Sequence, residues 1–258
     1  MSYTLITGAS KGIGKALAEE FARRGHDLLI VARTEETLKN FSNDLREKFR
    51  VRVHYFCQDL SLPDAPEQIL DWCKKNKFQV NILVNNVAYG LYGHFEKMKM
   101  DDLQKIIFLN IQNVATLVLL FIPELKKNSE AHILNVSSTA AYQPVPYLSI
   151  YAASKAFINS FTGSLRIELK ETGINVTCLA PGPTDSDFFN DSGIEQDIDL
   201  SHVKMEPEQV AKEGVEGMFN RKAVIIPGFS NKVGVFFSKR ISSTPVVKAL
   251  GKLLRPKS

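Results

Sequence analysis

In the stretch "SIYAASKAFINSF", residues 149–161, Tyr151 precedes Lys155 by four positions in a run that is otherwise mostly small and apolar. At helical spacing, residues i and i+4 share one face, so a phenol and an ammonium would point into the same cleft. A free tyrosine ionises near pH ~10, and a neighbouring cation stabilises its anion and lowers that value. A phenol tuned in this way exchanges a proton with a substrate oxygen near neutral pH. Taken alone, the pair reads more simply as packing, with Tyr151 at a core edge and Lys155 snorkelling over it. Ser138 ends the run "ILNVSS" upstream, and its hydroxyl suits an oxygen on which charge develops. The adjacent Ser137 is the rival, with the plainer task of bonding local backbone at a strand end.

A second chemical signal lies at the other end of the chain. The apolar run "YTLIT" passes into "TGASKGIG", residues 7–14, and then into a helix-like run. Glycines at 8, 12 and 14 allow a tight turn and close backbone approach, and the helix start offers unpaired N–H groups to a pyrophosphate. Between a strand and a helix, this turn points to a dinucleotide rather than to a plain reversal. Sites that take NAD place an acid near the end of the second strand for the ribose hydroxyls. Here the stretch reads "LLIVARTEE", with Ala32 and Arg33 at that place. An arginine suits a 2′-phosphate by charge and geometry, so NADPH/NADP+ is the expected cofactor.

These residues need a frame, and the hydropathy pattern supplies one. Apolar blocks at 3–7, 27–32, 51–57, 81–86, 131–136, 174–180 and 223–226 read as strands covered on both faces. Helical patterns at 12–24, 35–48, 64–76, 101–127, 149–171 and 207–219 alternate with them. That order predicts a single-domain α/β fold, a doubly wound seven-stranded parallel sheet with helices on both faces. With 258 residues, 44% hydrophobic and 23% charged, the chain can bury a large core, and no internal repeat or low-complexity linker argues for a second domain. Residues 1–228 are expected to form the catalytic domain, and 229–258 a basic amphipathic extension of it.

Other classes are disfavoured. Cys57, Cys73 and Cys178 are odd in number and scattered, which suggests buried free thiols rather than disulfides or zinc ligands. The five histidines show no metal-ligand spacing, so no metal is expected. The apolar stretch at 114–122 falls short of the roughly 20 residues of a membrane span. Met1 runs at once into a β-like segment with no room for a secretory leader, so a cytoplasmic protein is expected.

Taken together, "TGASKGIG", the "NN" at 85–86, Asn110, Ser138, "YAASK" and "PGPTDSDF" resemble the classical short-chain dehydrogenases/reductases, in that family's order and spacing, over essentially residues 2–228. Within the family the chain is most similar to bacterial ketoreductases near the 17β-hydroxysteroid dehydrogenases. The resemblance implies a Rossmann fold and a catalytic set of Asn110, Ser138, Tyr151 and Lys155. Tyr151 would be the acid/base, Lys155 would tune it and grip the nicotinamide ribose, and Asn110 would hold a water in a proton relay. It also implies that Gly8, Ser10, Lys11, Gly12, Ile13, Gly14, Arg33, Asp59, Leu60, Asn86, Pro181, Gly182 and Thr184 bind the cofactor, along with Tyr151 and Lys155. Lys11 is its second basic position for NADPH, Asp59 its adenine-contacting acid and Thr184 its carboxamide partner. For Asp59 a helix N-cap is the plainer reading. The family's "NNAG" is here "NNVAYG", and the added side chains of Val87 and Ala88 put the floor of the nicotinamide pocket in question.

The expected substrate is a small hydrophobic carbonyl or alcohol, because the segments at 89–95, 141–150 and 185–205 are rich in aromatic and apolar residues. The last of these looks like a lid. The resemblance implies a homodimer or homotetramer through helices 101–127 and 149–171, and no nucleic-acid partner is expected. The rival reading is a dinucleotide-binding sensor or scaffold without turnover, which the fold alone does not exclude. Residues 221–258 hold nine basic and no acidic side chains, leaving 23 basic against 28 acidic elsewhere. There Thr244 is placed to cap a helix starting at Pro245, with Val246, Val247, Leu250, Leu253 and Leu254 opposite Lys248, Lys252 and Arg255. Such a helix either packs on its own or a partner subunit, walling the substrate pocket, or lies on an anionic membrane through 245–255.

Overall fold

Every block expected to be a strand is one, because β-branched and leucine side chains at successive positions fill both faces of a covered sheet. The computed structural model describes residues 2–186, 188, 192–194, 204–238 and 243–256. Its strands are Ser2–Thr7 (β1), Asp27–Ala32 (β2), Val53–Cys57 (β3), Gln79–Asn85 (β4), Ala131–Val136 (β5), Ile174–Leu179 (β6) and Val224–Ile225 (β7). They pair in parallel in the order β3-β2-β1-β4-β5-β6-β7. The chain reverses its winding between β1 and β4, and in open parallel sheets the crevice at the carboxyl ends beside such a reversal is where ligands bind.

The helices are Gly12–Arg23 (α1), Glu35–Phe49 (α2), Ala65–Lys75 (α3), Met100–Ile107 (α4), Asn113–Leu125 (α5), Ser149–Glu168 (α6), Pro207–Phe219 (α7), Phe229–Ser238 (α8) and Ser243–Leu253 (α9). Successive strand residues serve opposite faces of the sheet. Ile6 and Ile30 meet Leu17 and Phe21 of α1 and Met218 of α7 on one side. Leu5 and Val31 meet Ile69 of α3, Phe121 of α5 and Leu165 of α6 on the other.

Several sequence expectations need correction. The helix expected over 101–127 is interrupted by a π-turn at Phe108–Gln112 between α4 and α5. The whole run, Met100–Leu125, is 26 residues with mean hydropathy 2.0 over its most apolar window, long and apolar enough by those measures to span a bilayer. The nine-residue stretch considered above understated it. Here its inner side, Leu117, Phe121 and Leu125, is buried in the core, so that side is committed to the sheet. Helix α8 was not anticipated, and α9 begins at Ser243, which places Thr244 inside the helix rather than at its cap. Cys57 is exposed at the end of β3, whereas Cys73 and Cys178 are buried as expected.

Candidate functional site

At the reversal point the carboxyl ends of the strands open into a cleft of about 1190 Å³. The glycine turn forms one end of it. Gly8 and Gly12 have φ of +68° and +52°, backbone that side chains rarely adopt. Gly14 is needed for space, since a Cβ there would sit 2.1 Å from the Gly8 carbonyl oxygen. Ser10, Lys11 and Ile13 border the cleft, and Lys11 is the N-cap that precedes α1. Asn86 holds the turn in place by donating its side-chain amide to the Thr7 and Gly8 carbonyls at 3.1 and 3.2 Å. Val87, the departure in "NNVAYG", packs beside Gly8, where an added Cβ would meet its Cγ2 at 2.9 Å. The larger side chain therefore braces the turn instead of displacing it.

At the end of β2, Ala32, Arg33 and Thr34 border the same cleft, and no carboxylate lies among them. Asp59 and Leu60 follow β3 on that wall. Asp59 does not cap α3, whose N-cap is Asp64; its Oδ1 accepts from the Ser61 N–H and hydroxyl at 2.9 and 2.8 Å. Burial pushes its carboxyl upward, but those two bonds and the charges of Arg33 and Lys105 outweigh it and hold the pKa below the usual range. These features fit a dinucleotide: a left-handed glycine cradle, a helix start, and a cation in place of the ribose-binding acid. Pro181, Gly182 and Thr184 close the far wall, and Thr184 Oγ1 donates to the Gly182 carbonyl at 3.0 Å.

Helix α6 brings Tyr151 and Lys155 to the middle of the cleft. Ser138 arrives from the end of β5, where it caps a 3-10 turn by accepting from Ala140 N at 3.1 Å, and its side chain hydrogen-bonds Tyr151. Ser137 is instead fully used in structure, donating to the Lys155 carbonyl at 3.0 Å. Lys155 is buried and donates to the Val136 carbonyl at 2.9 Å, with its Nζ 5.7 Å from the centre of the Tyr151 ring. The lysine is not the dominant influence on the phenol that the sequence suggests. Burial dominates, pushing Tyr151 up to about 12 against the opposing bond from Ser138, and Lys155 down to about 8. Tyr151 is thus held as a neutral proton donor at pH 7, and Lys155 remains largely cationic there.

Asn110 sits in the π-turn and is completely buried. Its Oδ1 accepts from Tyr89 N at 2.8 Å, and its Nδ2 donates to the Tyr89 carbonyl at 2.8 Å and to Ser154 Oγ at 2.9 Å. Ser154 in turn donates to the Tyr151 carbonyl at 2.7 Å. The Asn110 side-chain amide is therefore a clamp between the loop after β4 and the Tyr151 turn of α6.

The remaining end of the cleft is apolar, walled by Val145, Leu148, Phe188, Ile194, Val235 and Leu254. The Phe188 ring lies 5.0 Å from that of Tyr151, and Gly90 is the floor between them, since a Cβ there would meet both rings within 2.9 Å. Much of the lid expected over 185–205 lies outside the described residues. Two contributors were missed in the sequence: Asn231, which sits against Gly182 so closely that a Cβ would meet its Oδ1 at 2.2 Å, and Val235. Their only sequence signal was the apolar spacing of 229, 233, 236 and 237. Leu254 follows α9 into the pocket, and its carbonyl accepts from the Tyr92 hydroxyl at 3.0 Å.

A family profile described as short chain dehydrogenase matches residues 2–197. The chain is 34% identical over 183 residues to the mouse (Mus musculus) very-long-chain 3-oxoacyl-CoA reductase, across 69% of this chain but only 58% of that protein. It is 34% identical over 186 residues to sulfoacetaldehyde reductase 2 of Chromohalobacter salexigens, across 71% of this chain and 73% of the other. Among solved structures, a short-chain dehydrogenase from Sphingobium yanoikuyae in complex with NADPH superposes with a TM-score of 0.83 at 29% identity, covering 93% of this chain and 94% of that one.

Proposed function

We propose that this chain, which belongs to the short-chain dehydrogenase/reductase family, is an NADPH-dependent oxidoreductase that interconverts a hydrophobic carbonyl compound and its alcohol. The observation that carries the reading is the convergence of Tyr151, Ser138 and Lys155 midway along a cleft with a glycine cradle and Arg33 at one end and an apolar pocket at the other. Gly8, Gly12, Gly14 and Asn86 would hold the pyrophosphate end, Arg33 and Lys11 the 2′-phosphate, Asp59 and Leu60 the adenine side, and Pro181 to Thr184 the nicotinamide side. When bound, the reduced nicotinamide supplies a hydride to the carbonyl carbon.

The chain's own residues supply the rest. The Tyr151 hydroxyl, neutral at pH 7, gives its proton to the carbonyl oxygen, and Ser138 donates a hydrogen bond to the same oxygen as charge gathers on it. The electron pair of the broken O–H bond stays on Tyr151 as a phenolate, which the nearby Lys155 cation stabilises until a solvent proton replaces the one lost. Asn110 positions Tyr151 through Ser154 and keeps the Tyr89 loop against the cleft. A sensor would need no proton donor, so the placement of Tyr151 favours turnover. The apolar walls favour a substrate with an extended hydrocarbon part over a small charged aldehyde. Exposed apolar side chains on α4 to α6, among them Ile107, Leu119, Phe157 and Ile167, support pairing of these helices in a homodimer.

NADPH oxidation, followed by absorbance over a panel of long-chain, polycyclic and small ketones and aldehydes, tests the reading. Tyr151→Phe is expected to retain NADPH binding and lose turnover by about 10² or more. Retained turnover would end the assignment. Arg33→Ala is expected to weaken NADPH by about 1.5–3 kcal/mol, the range for hydrogen bonds to charged groups, and to leave NADH unchanged. Equal losses for the two cofactors would show that Arg33 does not meet the 2′-phosphate.

A further inference from the structure

We infer that helix α8 is a membrane-docking face that seats the mouth of the apolar cleft on an anionic bilayer. Phe229, Val233, Phe236 and Phe237 fall at positions i, i+4, i+7 and i+8, on one side of α8, and are 81, 37, 50 and 51% exposed. The opposite side of the same helix, Asn231, Gly234, Val235 and Ser238, lines the cleft. A ten-residue helix thus separates the pocket from an outward row of aromatic and branched side chains. Surface apolar residues scattered singly need no explanation, but a contiguous row of three phenylalanines beside a ligand cleft does.

The charge of the chain segment that carries this row selects its occupant. Residues 221–258 carry nine basic and no acidic side chains. On α9 and just beyond it, Lys248, Lys252 and Arg255 are exposed, while Leu250 and Leu254 pack inward beside Val145 and Ala152. Leu250 and Leu254, from the apolar side expected to meet a membrane through 245–255, are therefore taken up by the pocket wall, and α8 presents an outward apolar row of its own. Leu253 of α9 is also exposed, at 69%. A second copy of the chain is a poor match, because a two-fold contact would set one basic tail against the other. An anionic lipid surface satisfies both features: phenylalanines enter the boundary of the acyl region and Lys and Arg side chains meet the headgroups. A hydrophobic substrate dissolved in the bilayer would then reach the cleft along α8 without crossing water.

The test is vesicle flotation of the full chain, with no substrate present, so its outcome stands apart from that of the reductase reading. Phosphatidylcholine vesicles are compared with vesicles containing about a third phosphatidylserine, at low and at high salt. Three proteins are used: the unaltered chain, Phe236→Ser with Phe237→Ser, and Lys248→Glu with Lys252→Glu. The unaltered chain is expected to bind the anionic vesicles at least about tenfold more tightly than the neutral ones, and each double variant to lose about tenfold or more. High salt should weaken the binding, and both variants should keep their circular dichroism and NADPH binding. Failure of the unaltered chain to float with anionic vesicles overturns the proposal, as does binding that both variants retain. A fall in light-scattering mass for the phenylalanine variant without any vesicle binding also overturns it, by showing that a second copy covers α8.

Discussion

Replacing Asn110 by alanine separates a clamp from a proton relay. The side chain is fully buried and makes three hydrogen bonds of 2.8–2.9 Å, two to the backbone of Tyr89 and one to Ser154. Truncation removes the bonds that Asn110 makes with the Tyr89 N–H and C=O, while Ser154 keeps its bond to the Tyr151 carbonyl. An unsatisfied buried polar group costs about 1–3 kcal/mol, and Tyr89 is only half-buried, so the two groups together cost about 2–4 kcal/mol. For a chain of this size each kcal/mol shifts the melting temperature by about 2–4 °C, which gives a fall of about 4–16 °C. The assay is thermal and urea unfolding at one fixed protein concentration, alongside turnover measured well below the transition. A clamp predicts the loss of stability, together with a weaker KM from the slackened Tyr89 loop. If Asn110→Ala unfolds within about 1 kcal/mol of the unaltered chain yet loses turnover 100-fold, the side chain serves the reaction directly and the reasoning fails.

Two further outcomes follow from buried titratable groups. With Lys155 at about 8 and Tyr151 at about 12, kcat/KM for carbonyl reduction should be level below pH 7 and fall about tenfold per unit above pH 8, as the lysine loses its charge; a profile level to pH 9.5 would remove Lys155 from that role. His132, buried with Nδ1 unpartnered, and His26, both packed on the Phe219 ring, are pushed by burial below the ordinary histidine value. The unfolded chain therefore binds protons that the native one refuses, so stability is full above pH about 6.5 and erodes as pH falls through it, by at most about 1.4 kcal/mol per unit for His132. Urea midpoints at pH 7 and 5 should differ less in His132→Gln, and an equal difference would refute this account.

The order of strands and helices, the parallel sheet and the glycine cradle were legible in the sequence, because they rest on local patterns. An apolar block of five or six residues between turn residues reads as a covered strand, and "TGASKGIG" carries its own reasons for Gly8, Gly12 and Gly14. Tyr151, Lys155 and Ser138 were legible as candidates by type and spacing. Their electrostatics were not, since desolvation depends on everything packed around a group: the pair looked like a cation lowering a phenol, and burial turned the phenol the other way. The clamp made by Asn110 was not legible for a related reason, because its partners Tyr89 and Ser154 lie 21 and 44 residues away in sequence. The tail shows the same division. Its amphipathic pattern and charge stood in the sequence, but a helical wheel does not say which apolar face finds a partner. Tertiary packing decided which side is covered: Leu254 turned into the cleft, and Phe236 and Phe237 stay about half exposed.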